Sequence, residues 1–112
     1  MSELRKYTVE FLRVLGDPTR LDIVDLLQNS EKSALEIKIA LDRSQSTISK
    51  HLNMLLENGL IGFEKRDNTK YYKIENSEIL DLITTINTIV LSISKKKLRD
   101  IQDVDIHDIL AP

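Results

Sequence analysis

The sequence predicts a mainly α-helical domain that carries one small two-stranded antiparallel hairpin. Leucine and isoleucine dominate the apolar residues and recur at helical spacing through most of the chain. Only three glycines and two prolines are present, which is few for an all-β fold built on tight turns. Between residues 60 and 75, however, the apolar period changes from about 3.6 to about 2, which indicates a pair of strands.

The chain of 112 residues is long enough for one domain with a small core, because 41% of its residues are hydrophobic. We expect that domain to span residues 1–99 and an acidic tail, with four aspartates between Asp100 and Asp108, to span residues 100–112. The absence of cysteine excludes disulfides and thiolate metal sites. Neither a signal-peptide pattern nor an apolar run long enough to span a membrane is present, so a cytoplasmic protein is expected.

Two helices are predicted in the first quarter of the chain. The first runs from about residue 2 to residue 15, where Gly16 ends it. Asp17 as the N-cap and Pro18 at the first helical position begin the second, which runs to about residue 29 and is followed by a polar loop to residue 32. Their expected apolar residues are Leu4, Val9, Phe11, Leu12 and Leu15 in the first helix, and Leu21, Ile23, Val24, Leu26 and Leu27 in the second.

A third, short helix and a fourth helix follow. Ser33 caps the third helix, and Glu36 three residues later completes a capping box. Residues 42–43 form a tight turn into the fourth helix at 44–58, which Ser44 caps and Gly59 ends. A short helix, a turn and a second helix form a helix-turn-helix arrangement. The buried residues expected in the third helix are Leu35, Ile37 and Leu41, with Ala40 as a further candidate.

The fourth helix has two different faces. One face is apolar at helical spacing and is expected to lie against the core, through Ile48, Leu52, Leu55 and Leu56. The opposite face is polar, mostly short and rich in hydrogen-bond donors, through Gln45, Ser46, Ser49, Lys50 and Asn53. Such a face suits the DNA major groove, where base edges offer donors and acceptors and phosphates lie alongside. A solvated helix would more often carry interspersed glutamates and lysines.

A hairpin follows this helix. Residues 61–65 and 70–74 are predicted strands, and residues 66–69 form the turn, in which Asp67 or Asn68 takes the left-handed conformation. The tip of the hairpin is basic. Tyr71 and Tyr72 point to opposite faces, so that one of them packs on the core. The basic residues of the tip are Lys65, Arg66 and Lys70.

The last helix begins near Ser77, with Asn76 or Ser77 as its cap, and ends near Arg99. Its isoleucines repeat every seven residues, with further apolar residues between them, which is typical of a core or of a seam with a partner helix. The basic residues at 95–99 are expected to stabilise the C-terminus of the helix or to pair with the acidic tail.

Together these elements describe a winged helix-turn-helix domain, and the sequence resembles the ArsR family of prokaryotic transcriptional repressors. Residues 15–23 are close to the family pattern L-x-D-P-T-R-L-x-I. Residues 44–52 are close to S-Q-S-x-x-S-x-H-L, and residues 55–61 are close to L-x-x-x-G-L-V. The likeness covers roughly residues 4–95.

The resemblance implies a homodimer built from the first and last helices, with each recognition helix in a major groove and each wing on the flanking backbone or minor groove. By position it assigns DNA contacts to Gln45, Ser46, Ser49 and His51. The full candidate set for DNA is Gln45, Ser46, Thr47, Ser49, Lys50, His51, Asn53, Lys65, Arg66 and Lys70. The candidate dimer interface is Leu4, Phe11, Ile79, Leu82, Ile83, Ile86, Ile89, Val90 and Ile93.

Three departures separate this chain from many members of the family. The third helix lacks the Cys-x-Cys of the metal sensors, and the last helix, from Ser77 to Arg99, lacks histidine. The wing lacks the usual glycine at its tip. An Asp-x-His occurs once, at Asp105 and His107, where a solvated acidic tail is commoner than a metal site. We therefore expect no metal and no cofactor, and leave open a small-molecule or protein effector.

These observations predict a dimeric, sequence-specific DNA-binding transcriptional regulator, a repressor, whose partner is double-stranded DNA and which does not associate with membranes. Residues 43–73 carry six Lys/Arg and three Asp/Glu, so a basic region exists on a chain of net charge −2. That negative net charge favours the alternative, a winged-helix module that binds protein. No nucleophile and base are placed to support an enzyme.

Overall fold

The computed structural model describes the backbone of residues 2–110 and the side chains of residues 2–100 and 102. The chain divides between Ser77 and Glu78 into two compact units. No helix of the described part is long and apolar enough to cross a membrane. In chain order the elements are α1 (Glu3–Leu15), α2 (Pro18–Leu27), β1 (Lys32–Ser33), α3 (Ala34–Leu41), α4 (Gln45–Glu57), β2 (Ile61–Arg66), β3 (Thr69–Ile74) and α5 (Glu78–Leu110).

The first two helices begin and end where local chemistry predicts. The carboxylate of Asp17 accepts the backbone N–H groups of Thr19 and Arg20 at 2.9 and 3.2 Å, and Pro18 occupies the first turn of α2. Of the residues predicted on the apolar side of α1, Leu4, Val9 and Leu12 are exposed in the single chain. Burial in α1 is confined to its last turn, at Val14 and Leu15.

The sheet has three strands, not the two that the sequence predicts, in the order β1-β3-β2. Lys32 and Ser33, expected in a loop, pair antiparallel with Tyr72 and Tyr71 of β3. A two-residue strand has no alternation to read, and its partner lies about forty residues away, so only the tertiary fold reveals it.

The α3 helix has the predicted capping box but not the predicted buried face. Ser33 Oγ accepts the N–H of Glu36 at 3.2 Å, and the Glu36 carboxylate accepts the N–H of Ser33 at 3.0 Å. Ile37 is fully buried, whereas Leu35 is 62% exposed and Ala40 is also exposed. Because this short helix is apolar on nearly all sides, its apolar spacing does not define one inner face.

The α4 helix packs as predicted through Ile48, Leu52 and Leu55, which are buried. Its C-terminus closes in a Schellman motif: Gly59, at φ +75°, donates to the carbonyl of Leu56, and Leu60 donates to that of Leu55. Leu56, expected in the core, is half-buried. Firm packing on one side and a defined end fix the direction in which the outer face points.

The hairpin forms with the predicted strands extended by one residue at the turn. Asp67 and Asn68 lie at φ 50° and 63°, and the flanking Arg66 and Thr69 pair directly. Two consecutive residues of positive φ form the turn type that matches the twist of a two-residue hairpin. Tyr72 is buried, so it is the tyrosine of the pair that packs on the core.

The α5 helix continues to Leu110, eleven residues beyond the predicted end at Arg99. Ile79 and Ile83, predicted in the dimer seam, are buried in the single chain. The remaining predicted α5 positions are exposed, namely Leu82, Ile86, Ile89, Val90 and Ile93.

Candidate nucleic-acid interface

The outer face of α4 is an exposed polar surface. Its residues, with their side chains free of the core, are Gln45, Ser46, Ser49, Lys50 and Asn53. Within the described part of the chain, Lys50 forms no salt bridge that would hold it against the protein. This face therefore presents hydrogen-bonding groups and a cation to whatever approaches the helix.

The first turn of α4 is held by its own hydroxyl groups. Ser44 Oγ accepts the N–H of Thr47 at 3.2 Å, and it lies 2.8 Å from Thr47 Oγ1 and 3.2 Å from Ser46 Oγ. Thr47 is half-buried, and its hydroxyl belongs to the cap. The network orders the N-terminal turn on which Gln45 and Ser46 stand.

A buried arginine connects the end of α1 to the inner flank of α4. Arg20 is only 8% exposed, and its guanidinium donates to the carbonyls of Val14 and Arg13. Its Nη1 also lies 3.0 Å from His51 Nδ1 and 3.3 Å from Met54 Sδ. Through these contacts Arg20 fixes the position of the recognition helix relative to the helices beneath it.

Sequence reasoning missed Arg20, although a signal exists. Arg20 stands on the same i, i+3, i+4, i+7 stripe as Ile23, Val24 and Leu27, which are all buried. A charged residue on an apolar stripe predicts a buried group with hydrogen-bond partners. Its partner on α4 could not be read from the stripe, because His51 lies 31 residues away.

His51 lies on the inner flank of α4 rather than among the exposed polar side chains, and it is half-buried. Burial lowers the pKa of His51 below its ordinary value of 6.5; Asp17 opposes this effect, and the charge of Arg20 adds to it. The neutral ring is therefore favoured, and a neutral Nδ1 can accept the hydrogen bond from Arg20.

Asp17 is the acidic residue that interacts with Arg20 and His51. Burial alone raises the pKa of Asp17, but the backbone N–H of Arg20 and the charges of Arg20 and His51 lower it, and the net change is downward. Asp17 therefore remains ionised and serves both as the cap of α2 and as a counter-charge to Arg20.

The three basic residues at the tip of the hairpin are not equivalent. Arg66 is paired, with Nη2 at 2.6 Å from Glu31 and Nη1 at 3.3 Å from Glu64, and its guanidinium stacks 4.2 Å above the Tyr71 ring. The hydrogen bond from Arg66 lowers the pKa of Glu31. Among the described residues Lys65 and Lys70 form no salt bridge, so neither of these tip lysines is paired with a carboxylate, and Lys70 Nζ lies 4.6 Å from the centroid of the Phe63 ring.

Two other groups of residues were predicted from the sequence. Of the dimer candidates on α1, Leu4 is exposed and Phe11 is half-buried. The side chains of Asp105 and His107 lie outside the described residues. Among the residues that are described, no group of three His, Cys, Asp or Glu side chains could hold a metal ion.

Comparison with known proteins identifies the same fold and one family. Residues 17–62 match the model of the bacterial regulatory proteins of the arsR family. The arsenical resistance operon repressor of Staphylococcus aureus is 30% identical over 94 residues, which cover 84% of this chain and 90% of that protein. The transcriptional activator HlyU of Vibrio cholerae is 30% identical over 79 residues, or 70% of this chain and 73% of that protein.

Among solved structures, a homodimeric winged helix-turn-helix DNA-binding domain from Mycobacterium bovis, Mb0332, superimposes with a TM-score of 0.73 at 23% identity. The match covers 80% of this chain and 87% of that one, and it shows that the two share a fold. The helix-turn-helix and wing described above, together with the sequence matches, place this chain in the ArsR family of DNA-binding transcriptional regulators.

Proposed function

We propose that this chain acts as a homodimeric, sequence-specific repressor of transcription that inserts α4 into the DNA major groove. The observation that carries the proposal is the outer face of α4, where polar side chains stand exposed on a helix whose opposite face is fixed in the core. Relatives named as repressors support the direction of the effect, while the relative named as an activator shows that the family pattern alone does not dictate it.

Base reading and phosphate binding fall to different residues. The Gln45 amide has a donor and an acceptor, which together can recognise an adenine edge, and Ser46 and Ser49 are short enough to let the helix approach the bases. Lys50 and the wing lysines, Lys65 and Lys70, bind phosphates and supply salt-dependent affinity. Asn53 extends the reading face by one turn.

Three further candidate residues are proposed to hold α4 and the wing in position: Thr47, His51 and Arg66. The first belongs to the α4 cap, the second pairs with Arg20, and Arg66 pairs with Glu31 and Glu64. Each of these side chains already has an intramolecular partner, which orders it within the interface.

The proposed dimer forms through the exposed apolar residues of α1 and α5. The homodimeric state of the Mycobacterium bovis domain supports this assembly. Two-fold symmetry would place the two α4 helices on successive turns of one DNA face. In this proposal residues 1–99 form the DNA-binding and dimerisation domain, residues 100–112 lie outside it, and a DNA target implies a cytoplasmic location. The relatives are regulators, and we propose no enzymatic activity.

The proposal is tested by selecting bound sequences from a random DNA pool and titrating the selected duplex by fluorescence anisotropy. We expect a palindrome with half-sites about 10 base pairs apart. Lys50→Ala should weaken binding to all sequences, whereas Gln45→Ala should change the preference at one base pair by about 1–3 kcal/mol. Lys73→Ala, an exposed lysine of β3 outside α4 and the turn, is the control.

A protein-binding winged helix is the second candidate, and the net charge of −2 favours it. The same titration separates the two. A DNA-binding protein must retain a non-specific affinity for duplex that falls steeply as salt rises, whereas a protein-binding module has none. No duplex binding at low salt, or binding that is indifferent to both Lys50 and Gln45, would reject the DNA-binding proposal.

A further inference from the structure

The tip of the hairpin carries its basic residues on two faces. Lys65 pairs with Lys70 across the ladder, and Arg66 is the next residue of β2. Because successive side chains of a strand point to opposite faces, the two lysines share one face and Arg66 lies on the other. The lysine face includes Phe63, whose ring lies beneath Lys70, and the arginine face includes Tyr71, whose ring lies beneath Arg66. The cations of the tip therefore have two different surroundings.

On the arginine face the cation is held by carboxylates. Nη2 of Arg66 donates to Glu31 at 2.6 Å, and Nη1 donates to Glu64 at 3.3 Å. These bonds engage both terminal nitrogens of the guanidinium, which can otherwise form a forked contact with a phosphate. The hydrogen bond between Arg66 and Glu31 raises the pKa of the arginine and lowers the pKa of the glutamate, so both stay ionised. One positive charge thus lies between two negative charges, an arrangement that does not attract phosphate.

Glu31 is the carboxylate of this cluster that comes from outside the hairpin. Glu64 lies two residues before Arg66 on the same strand, so it stays beside the arginine wherever the strand moves. Glu31 lies 35 positions from Arg66, on the segment before β1, and makes the shorter contact. Its side chain is 35% exposed, against 60% for Glu64. Glu31 therefore directs the guanidinium toward the rest of the domain, which Glu64 cannot do.

We propose that Glu31 inhibits DNA binding by this chain, because it withholds Arg66 from phosphates that the tip of the hairpin would otherwise bind. An exposed ion pair is weak, so the guanidinium is free to exchange partners once its carboxylate is removed. A new contact between arginine and phosphate releases counterions and adds affinity. This inference rests on the proposed function and extends it, since it identifies a contact within the chain that limits the affinity of the DNA surface.

A purely positioning role for Glu31 predicts the opposite result. If the pair with Arg66 only holds the hairpin in place, removing the carboxylate loosens the wing and weakens binding to DNA. If Glu31 withholds the arginine, the same change strengthens binding and adds a phosphate contact. The sign of the change in affinity therefore separates the two roles, and the salt dependence counts the contacts.

The test measures the affinity of Glu31→Gln for the selected duplex by fluorescence anisotropy over a range of salt concentrations. Glutamine keeps the length of the side chain but replaces the charged acceptor with a neutral one. We expect binding to become tighter by about threefold or more at low salt, and the logarithmic salt slope to steepen by about 1 for each bound chain. Thermal unfolding is recorded for each variant to show that it is folded.

The chain offers a matched control at the other end of the hairpin. The carboxylate of Glu75 lies against Gly62, and among the described residues it forms no salt bridge. Glu75→Gln removes the same charge and should stay within about twofold of the unmodified protein, because exposed charges at a distance are screened. In an Arg66→Ala background, Glu31→Gln should also have no effect beyond that limit, because no guanidinium remains to be released.

The possible results distinguish this inference from the proposed function. If Glu31→Gln binds as the unmodified protein does, or more weakly, while Lys50→Ala loses affinity, the inhibitory role is wrong and the proposed function stands. A gain that persists without the arginine, or that Glu75→Gln reproduces, would show a general charge effect and would also overturn the inhibitory role. If no duplex binds at low salt, both proposals are wrong.

Discussion

Arg20 connects the buried end of α1 to the recognition helix α4 through its hydrogen bonds. A buried guanidinium is costly unless its donors are satisfied, and here they meet two carbonyls at the end of α1, the His51 ring and the Met54 sulfur. Among the described residues no buried side-chain nitrogen or oxygen lacks a partner. Arg20 therefore acts as a bridge whose geometry, and not only its charge, is required.

Arg20→Lys should lower the free energy of unfolding by roughly 1–3 kcal/mol, because an ammonium group cannot reproduce the fork that spans α1 and α4. Urea denaturation measures the change. Arg43→Lys, at an exposed turn position, is the matched control and should stay within about 0.5 kcal/mol of the unmodified protein. Equal stabilities for the two variants would contradict the bridging role.

His51 should make the fold sensitive to mild acid. Its pKa is lower in the folded protein than the ordinary 6.5, so between those two values the unfolded chain binds more protons. The free energy of unfolding should therefore be greatest above about pH 6.5 and fall as the pH drops below that value. The lowered pKa of Asp17 acts in the same direction, but only around and below 3.8.

Denaturation curves measured between pH 8 and pH 5, for the unmodified protein and for His51→Gln, check this expectation. Glutamine does not titrate, so the unfolding free energy of the His51→Gln variant should lack the part of the pH dependence that His51 contributes. Since the only other histidine, His107, is present in both proteins, the difference between the curves isolates His51. If the unfolding free energies of the two proteins change with pH in parallel, His51 is not the source of the pH dependence.

At the scale of elements, the interface depends on how α4 and the hairpin are terminated and tied. The Schellman motif at Gly59 ends α4 and turns the chain into β2 with Leu60 buried. The pair between Arg66 and Glu31 ties the hairpin to the segment just before β1. Both links hold the segments that flank the proposed DNA-binding surface.

Gly59→Ala should destabilise the protein by about 1 kcal/mol, because φ +75° is unfavourable for a residue with a Cβ. An added Cβ would meet no atom within 4 Å, so the cost is conformational and not steric. Gly59→Asn should lose less, since asparagine tolerates the left-handed region better. Thermal denaturation of both variants measures the difference, and an equal loss would argue against a conformational cause.

At the scale of the whole molecule, exposed apolar residues on α5 indicate a further interface. The residues Ile86, Ile89, Val90 and Ile93 are each between 37% and 53% exposed. A monomer rarely leaves so regular an apolar stripe in contact with water. A second copy of α5 offers the same stripe and can cover it symmetrically.

Ile89→Asp should therefore shift the protein from dimer to monomer and weaken binding to a palindromic duplex more than binding to a half-site. Sedimentation velocity measures the first effect and anisotropy the second. Leu91→Asp is the control, because Leu91 is equally exposed, at 55% against 53%, but lies off the stripe. If both variants remain dimeric, α5 does not form the dimer seam through this stripe.

The sequence by itself determined the features that depend on neighbouring residues. The caps at Asp17, Ser33 and Ser44 and the left-handed turn residues Asp67 and Asn68 were predictable, because each depends on backbone chemistry within about four residues. The spacing of the apolar residues of α4 likewise indicated its two faces, and with them the helix that we propose reads DNA.

Only the tertiary structure decided which of those residues are free to act. It pairs Arg20 with His51 and Arg66 with Glu31, which are separated by 31 and 35 positions, and it exposes Leu35 beside the wing. Local pattern cannot predict such contacts, because they depend on how complete elements pack. The sequence therefore determined the helix-turn-helix, and the packing decided which of its basic and apolar residues remain exposed and unpaired with a carboxylate.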